Sequence, residues 1–311
     1  MQQPAIRFES VNCCLCQSNQ RKLLLEGPDR LHNIPGIFML CQCLDCGLIY
    51  QNPRPTADSL QIIYPDEYDP HQPVAIPSGK LHPDWVRTCE LIQQQQPDSG
   101  RLLDVGCGSG TFLLTLRQLS PQWETIGIEP DAQAATIARQ NNLHVQMTQL
   151  ESATLTTGSF DAVTLWNVLE HLPNPLGSLH YIHQLLRPNG VLYLSVPLSD
   201  SWDAQLFGRY WLGWELPRHF VMFNRSTLRT TLLKAGFEIV NTACLSGIEF
   251  CCAESIRLCI KDCVRGYTLR RLSIAVTYSR LFRLFLKPYL VWATRAGRCT
   301  VLTVVAHVIT K

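Results

Sequence analysis

No stretch of this 311-residue sequence reaches eighteen apolar residues, so a simple membrane-spanning helix is not expected. No basic-then-apolar leader opens it either; residues 1–10 are polar and mixed, and a secretory signal is not expected. Charge is scarce. Asp, Glu, Lys and Arg make up 17% of the residues with a net +2, too little for a surface that wraps nucleic acid. Internal repeats are missing, and the one low-complexity tract is Gln93–Gln96. The apolar fraction of 46%, in a chain of this length, instead supports a globular core larger than one minimal domain.

Cysteine is abundant. There are fourteen, six of them within the first 46 residues: Cys13, Cys14, Cys16, Cys41, Cys43 and Cys46. Without a leader, a secreted disulfide scaffold is disfavoured, and the expected setting is reducing and cytoplasmic, with the clustered thiols held by metal. Cys13-x-x-Cys16 and Cys43-x-x-Cys46 have the spacing of two zinc knuckles, each presenting two thiolates to one tetrahedron. Gly47 suits the left-handed turn such a knuckle uses. The expected Zn2+ ligands are therefore Cys13, Cys16, Cys43 and Cys46, with Cys14 and Cys41 as alternatives. Four thiolates leave no open position, so the ion would be structural.

The chain reads as three parts: a small four-cysteine, zinc-ribbon-like module over 1–56, a Pro-rich linker over 57–84, and a larger domain over 85–311. In the last part, strand-length apolar runs at 102–105, 125–129, 144–147, 160–166, 191–196 and 237–244 alternate with helical segments at 111–119, 132–141, 176–186 and 226–235. That alternation predicts an α/β fold with a parallel sheet covered on both faces. Gly190 and Gly236 sit where helix C-caps belong.

The sequence LDVGCGSG, residues 103–110, follows a strand and opens a helix. Its glycines let the backbone turn tightly and approach a ligand. Glu129 ends the next strand, where a carboxylate can accept hydrogen bonds from a ribose diol, and Asp104 could hold an ammonium group. A dinucleotide-binding dehydrogenase would space its third glycine differently.

These residues, with IEP at 128–130, FDAVTLWNVLEHLPNP at 160–175 and LLRPNGVLYLSVP at 185–197, resemble the class I S-adenosylmethionine-dependent methyltransferases. The resemblance implies a Rossmann-like, doubly wound sheet of seven strands whose last strand, at 301–309, runs antiparallel. It implies that Asp104, Gly106, Gly108 and Glu129 bind S-adenosyl-L-methionine, with Asn167 and residues 149–151 near the ends of that cofactor. The stretch CLDCGLIYQNPRPTADSL resembles the zinc-binding module found ahead of some methyltransferases of sugars and other small metabolites.

Two histidines are candidates for catalysis. His171 follows the fourth sheet strand, at the end that faces the transferred methyl in this fold. Quinone-biosynthesis methyltransferases are similar here, with an E-x-x-E-H pattern that can hold a divalent cation; this sequence has Asn167 in place of the first acid, which weakens a metal role there. His219 lies in WLGWELPRHF, residues 211–220, a Trp-rich segment suited to cover a small organic substrate. The opposing reading of both is a structural histidine.

Residues 261–311 carry a net +9 and the remaining 260 a net −7. Within the former, about 265–298 reads as a basic amphipathic insertion: Arg280, Arg283 and Lys287 on one helical face, Ile274, Tyr278, Leu281 and Phe285 on another, with Pro288 kinking or ending the helix. The expected activity is methyl transfer from S-adenosyl-L-methionine to a small-molecule acceptor such as a sugar or a lipid-linked metabolite, in the cytoplasm or at the inner membrane face. RNA methylation and a non-catalytic scaffold are the alternatives. The zinc module holds few basic residues, which disfavours nucleic acid as a partner.

Overall fold

Six apolar stretches and one at the end of the chain become seven strands of a single sheet. They are β1 (Gly100–Val105), β2 (Trp123–Ile128), β3 (Val145–Gln146), β4 (Phe160–Trp166), β5 (Leu186–Pro197), β6 (Phe237–Ala243) and β7 (Val301–Val308). The computed structural model describes residues 5–64, 68, 81–96, 99–245 and 248–309. Spatial order is β6-β7-β5-β4-β1-β2-β3. The pairings among β1 to β5 are parallel, and β7 runs antiparallel to β6, as expected. From β1 the chain moves one way to β2 and β3, then returns to the other side of β1 with β4. That reversal opens a crevice beyond the carboxyl ends of β1 and β4.

Burial explains why these segments are strands. Leu102, Leu103, Ala162, Val163, Leu192 and Leu194 are fully covered, so consecutive residues on both faces must be apolar. The helices between them start on recognisable caps. Asp131 accepts a hydrogen bond from Ala134 N at the head of Ala132–Gln140, and Asn174 does so from Gly177 N at the head of Pro175–Leu185. Helix Thr111–Leu119 begins on Gly110, whose φ is +85°. Gly236 (φ +90°) closes a helix as expected, but Gly190 does not: it lies inside β5, within the register shift between Leu186 and Val191, and the helix already ends at Leu185.

Gly110 cannot be replaced without strain. A Cβ there would sit 2.2 Å from Leu143 Cδ1, on a backbone conformation that L-residues avoid. Gly110→Ala is expected to destabilise the protein by about 2–4 kcal/mol, from overpacking and left-handed strain together. A lower urea midpoint at unchanged m-value would register it; an unmoved midpoint would contradict the geometry.

The chain divides into two compact units that do not follow the linear division into module, linker and domain. One gathers Met1–Tyr64, Pro197–Leu228 and Ser246–Leu302; the other gathers Pro65–Val196, Arg229–Leu245 and Thr303–Lys311. The region expected to be a linker starts with helical turns over Ala57–Ser59 and Leu60–Ile63, and helix Pro83–Gln95 begins at its end. Most of the stretch between lies outside the described residues.

Within the first unit, strands Arg21–Gly27, Phe38–Cys43, Ile49–Gln51 and Val221–Met222 make a four-stranded antiparallel sheet. The segment 211–222 is therefore built into the same unit as the N-terminal module. Its Trp211 is buried against Phe38, Leu40 and Met222 and donates from Nε1 to Thr300 Oγ1 at 2.8 Å. Trp211 is thus a core residue of this unit. The basic segment over 265–298 forms two helices, Tyr267–Thr277 and Arg280–Arg295, and follows helix Ile248–Cys263. Pro288 neither ends nor begins one of them: it lies inside the last, on its exposed side, where water can satisfy the carbonyl that a proline leaves unpaired. The helix break falls instead at Ser279, whose side chain caps Phe282 N.

Candidate functional site

The crevice at β1 and β4 assembles the expected cofactor residues of the second unit. β1 ends at Val105, and Gly106, Gly108 and Gly110 all take positive φ in the turn that follows. A Cβ on Gly106 would lie 2.6 Å from Val168 Cγ2, so the turn needs glycine there. Glu129, just past β2, accepts hydrogen bonds from Gly108 N at 2.8 Å and Asp131 N at 2.9 Å. The carboxylate thus ties the glycine loop to the end of β2.

Asp104 is next to the last residue of β1, and sheet register places it opposite Thr164 of β4. Thr164 Oγ1 donates to Asp104 Oδ1 at 2.6 Å. Asp104 is 1% exposed and Glu129 3%. Burial pushes the Asp104 carboxyl up to about 8 and the Glu129 carboxyl up to about 7. Among the described residues neither has a Lys or Arg ion-pair partner. Two buried acids at the mouth of a glycine turn, raised for want of a countercharge, fit a ligand that brings a cation and a diol. The S-adenosylmethionine named by the resemblance has both.

Asn167 follows β4 with φ +54°, and its position is held from β5. Asn167 N donates to Ser195 O at 3.0 Å, and Ser195 Oγ donates to Asn167 Oδ1 at 3.0 Å. Its side chain is exposed, at the carboxyl end of the sheet. Glu170 is buried and His171 half-buried in the 3-10 turn Leu169–His171 that comes next. Glu151 accepts from Ser178 Oγ at 2.6 Å, which fixes the 149–151 turn to helix Pro175–Leu185. Trp85, Phe112 and Trp166 form an aromatic trio with ring centroids 5.3 to 6.0 Å apart.

Thr164, Ser195 and Trp85 escaped the sequence reading. Thr164 and Ser195 sit inside apolar strands, and nothing local marks them as partners of Asp104 and Asn167. Strand register alone brings them into contact.

In the first unit, the four expected ligands converge. One ligand atom each from Cys13, Cys16, Cys43 and Cys46 lies within 4.8 Å of all the others. Cys13 and Cys46 sulfurs are 3.4 Å apart, Cys16 and Cys43 sulfurs 3.5 Å. A tetrahedral thiolate site with bonds of about 2.3 Å separates its sulfurs by roughly 3.8 Å, so the set fits zinc. The two knuckles share one geometry. Gln17 N bonds Cys13 O and Gly47 N bonds Cys43 O, and Gln17 and Gly47 both take left-handed φ, +65° and +77°. Cys41 lies outside the set and turns its thiol toward Asn52 O at 3.5 Å; Cys14 is outside it too.

His219 also belongs to this first unit. Its Nδ1 lies 2.8 Å from Gly213 O, which can only accept, so Nδ1 carries the proton and Nε2 of the neutral ring carries the lone pair. Burial lowers its pKa, against the pull of Glu215. The neighbouring Arg218 is fully buried and holds Asp29 through two bonds, of 2.9 and 3.0 Å, with a third donor to Glu215 at 3.1 Å. Burial opposes ionisation of Asp29, but the Arg218 bonds outweigh it and hold the carboxyl below its usual range. In this stretch Arg218 is structural, and His219 Nε2 lies 3.5 Å from Glu215 Oε2.

Comparison with known proteins agrees with this geometry. A family model described as a methyltransferase domain matches residues 80–242. A ubiquinone biosynthesis O-methyltransferase of Azoarcus sp. (strain BH72) is 33% identical over 164 residues, covering 48% of this chain and 68% of that protein. Another of that name, from Xanthomonas axonopodis pv. citri (strain 306), is 35% identical over 127 residues, covering 38% and 51%. The chain spans about half the length of most of the curated relatives it matches. Among solved structures, a chain of the complex between the Haloferax volcanii Trm112 methyltransferase activator and a methyltransferase superposes with a TM-score of 0.50 at 13% identity, covering 74% of this chain and 91% of that one. That likeness concerns the fold alone.

Proposed function

The chain belongs to the class I S-adenosylmethionine-dependent methyltransferases, and from that premise we propose that it methylates an oxygen of a small-molecule acceptor. The observation that carries this reading is the pair of buried carboxylates, Asp104 and Glu129, at the glycine turn of the switch-point crevice. Asp104 would take the ammonium of S-adenosyl-L-methionine, Glu129 its ribose hydroxyls, and Gly106 and Gly108 the close backbone approach, with Asn167 at the methionine end. The bound sulfonium supplies an already activated methyl group. What this chain must add is alignment and dryness, worth many orders of magnitude in rate when two reactants are held in line. An oxygen acceptor must also lose a proton. His171, at the carboxyl end of the sheet, and His219, neutral with its lone pair on Nε2, are the proposed bases. The four cysteines would hold one structural Zn2+ and take no part in the chemistry.

The names of the sequence relatives favour oxygen as the atom methylated and a lipid-linked aromatic over a sugar. The test is transfer of isotope-labelled methyl from S-adenosylmethionine to three acceptor pools: hydroxylated lipid-tailed aromatics, sugar nucleotides and RNA. Label in the first pool, lost in His171→Ala or His219→Ala with cofactor affinity retained, is expected. Label confined to RNA would replace this reading with the nucleic-acid one, and no transfer alongside tight cofactor binding would point to a scaffold.

The raised carboxyls make a pH prediction. The cofactor's cation and diol favour ionised Asp104 and Glu129, whereas burial favours the protonated forms. Binding is therefore expected to release protons near neutral pH, and affinity to rise between about pH 6 and 8. Calorimetry in buffers of different ionisation heat counts those protons; a binding heat independent of buffer would refute the assignment.

A further inference from the structure

Helix Tyr267–Thr277 buries Thr277 with Ser273 and Ile274 half-covered, helix Arg280–Arg295 buries one stripe, and both leave an apolar stripe in water. In the second, Leu286 and Ala293 face inward, with Phe282 and Tyr289 partly covered beside them. On the other side, Leu281 is 79% exposed, Phe285 82% and Trp292 62%, with Leu284 between them. In the first, Leu269, Leu272 and Val276 are exposed at helical spacing. A soluble protein rarely leaves an apolar stripe of this length uncovered without a use for it.

The charge around the stripes says what covers them. Residues 267–295 contain six basic side chains and no acid. On a helical wheel, Arg280, Arg283 and Lys287 fall beside the Leu281–Phe285 stripe, and all three are exposed. Glu249 pairs with Arg283 at 3.3 Å on the surface; Arg271, Arg280, Lys287 and Arg295 are exposed as well. A second copy of this face would set the exposed Arg271, Arg280, Lys287 and Arg295 against their like charges, so self-association is disfavoured. RNA would use the cations and could stack on the rings of Phe285 and Trp292, but it would leave the aliphatic side chains Leu269, Leu272, Val276, Leu281 and Leu284 uncovered. An anionic phospholipid surface uses both: aliphatic and aromatic side chains enter the interface, and the cations meet lipid phosphates.

We propose that the outward faces of helices Tyr267–Thr277 and Arg280–Arg295 dock this protein onto an anionic phospholipid membrane. No described helix is long and apolar enough to cross one, so the contact is interfacial. The proposal does not depend on which acceptor is methylated. It places the chain where an acceptor with a lipid tail would be found.

The full-length protein is floated with vesicles of equal parts phosphatidylglycerol and phosphatidylcholine, and with phosphatidylcholine alone. Binding to the anionic vesicles only, weakened by salt, is expected. Paired Leu281→Asp and Phe285→Asp substitutions are expected to reduce partitioning at least about tenfold, and Arg280→Gln with Lys287→Gln by roughly fivefold per cation removed. The circular dichroism and cofactor affinity of each variant report that the fold is intact, since all four side chains are exposed. Brominated lipid should quench Trp292, and Trp292→Phe should remove that component. Three outcomes overturn the proposal: no flotation with anionic vesicles, flotation unaffected by the aspartates, or a dimer in solution that the aspartates abolish while vesicle binding is absent.

Discussion

Glu129→Ala is expected to weaken S-adenosylmethionine binding by at least about 100-fold, since each hydrogen bond to a charged group contributes roughly 1.5–3 kcal/mol and two ribose hydroxyls are involved. The effect has a second source. In the free protein the same carboxylate accepts from Gly108 N and Asp131 N, so its removal also releases the glycine turn from the end of β2. Glu129→Gln should fall between, because an amide can accept from one N–H but turns a donor toward the other. Glu124→Ala is the control; this acid lies on β2 but is exposed and paired with Arg101 at the surface. Calorimetric titration with S-adenosylmethionine and S-adenosylhomocysteine, with NADH as the negative ligand, reads all three. A loss smaller than about fivefold in the alanine variant would mean that Glu129 organises the turn without touching the ligand.

Removing the metal is expected to have the largest effect on stability. Elemental analysis should find one zinc per chain, and a strong chelator should melt the first unit, because structural zinc contributes on the order of 10 kcal/mol to the folding of small cysteine-rich modules. Strand Phe38–Cys43 runs directly into the second knuckle and forms the middle of the four-stranded sheet. Freeing Cys43 and Cys46 therefore loosens the strand that pairs with both Arg21–Gly27 and Ile49–Gln51, the latter being the strand that Val221–Met222 extends. Cys43→Ser should reproduce the loss. Cys14→Ser and Cys41→Ser should retain full zinc content, since neither thiol belongs to the cluster. Zinc lost from the Cys41→Ser protein would reopen the ligand choice.

These experiments test different parts of the chain, and what could be read in advance differs between them. The strand at 160–166 and the helix at 111–119 have the boundaries that periodicity predicts. The reason is local: a parallel strand covered on both faces must be apolar throughout, and a helix opened by a glycine turn announces its start. The four knuckle cysteines were legible for a similar reason, because two-residue spacing is itself the geometry of a knuckle. Cys14 and Cys41 stayed in contention until the fold showed where their thiols lie.

Gly190 and Pro288 show the limit of local rules. Glycine is strongly preferred just after a helix, and proline within one costs about 3 kcal/mol. A strand pairing absorbed the first and an exposed helix face tolerated the second.

What the sequence by itself determined is the alternation of strands and helices (the count of seven strands came from the family resemblance), the glycine turn with Asp104 before it, Glu129 at the end of the next strand, and the four thiols of the module. Each of these depends on residues close together in the chain, or on side chains whose spacing is their geometry. Tertiary structure alone decided that Thr164 holds Asp104, that Ser195 holds Asn167, and that 211–222 joins the cysteine module. Gln51 Nε2 donates to the carbonyls of Pro217 and His219, and Arg218 grips Asp29, across sequence separations of 166 to 189 residues. No periodicity records a contact at that distance. It exists only once the sheets have formed and burial requires every polar group among them to find a partner.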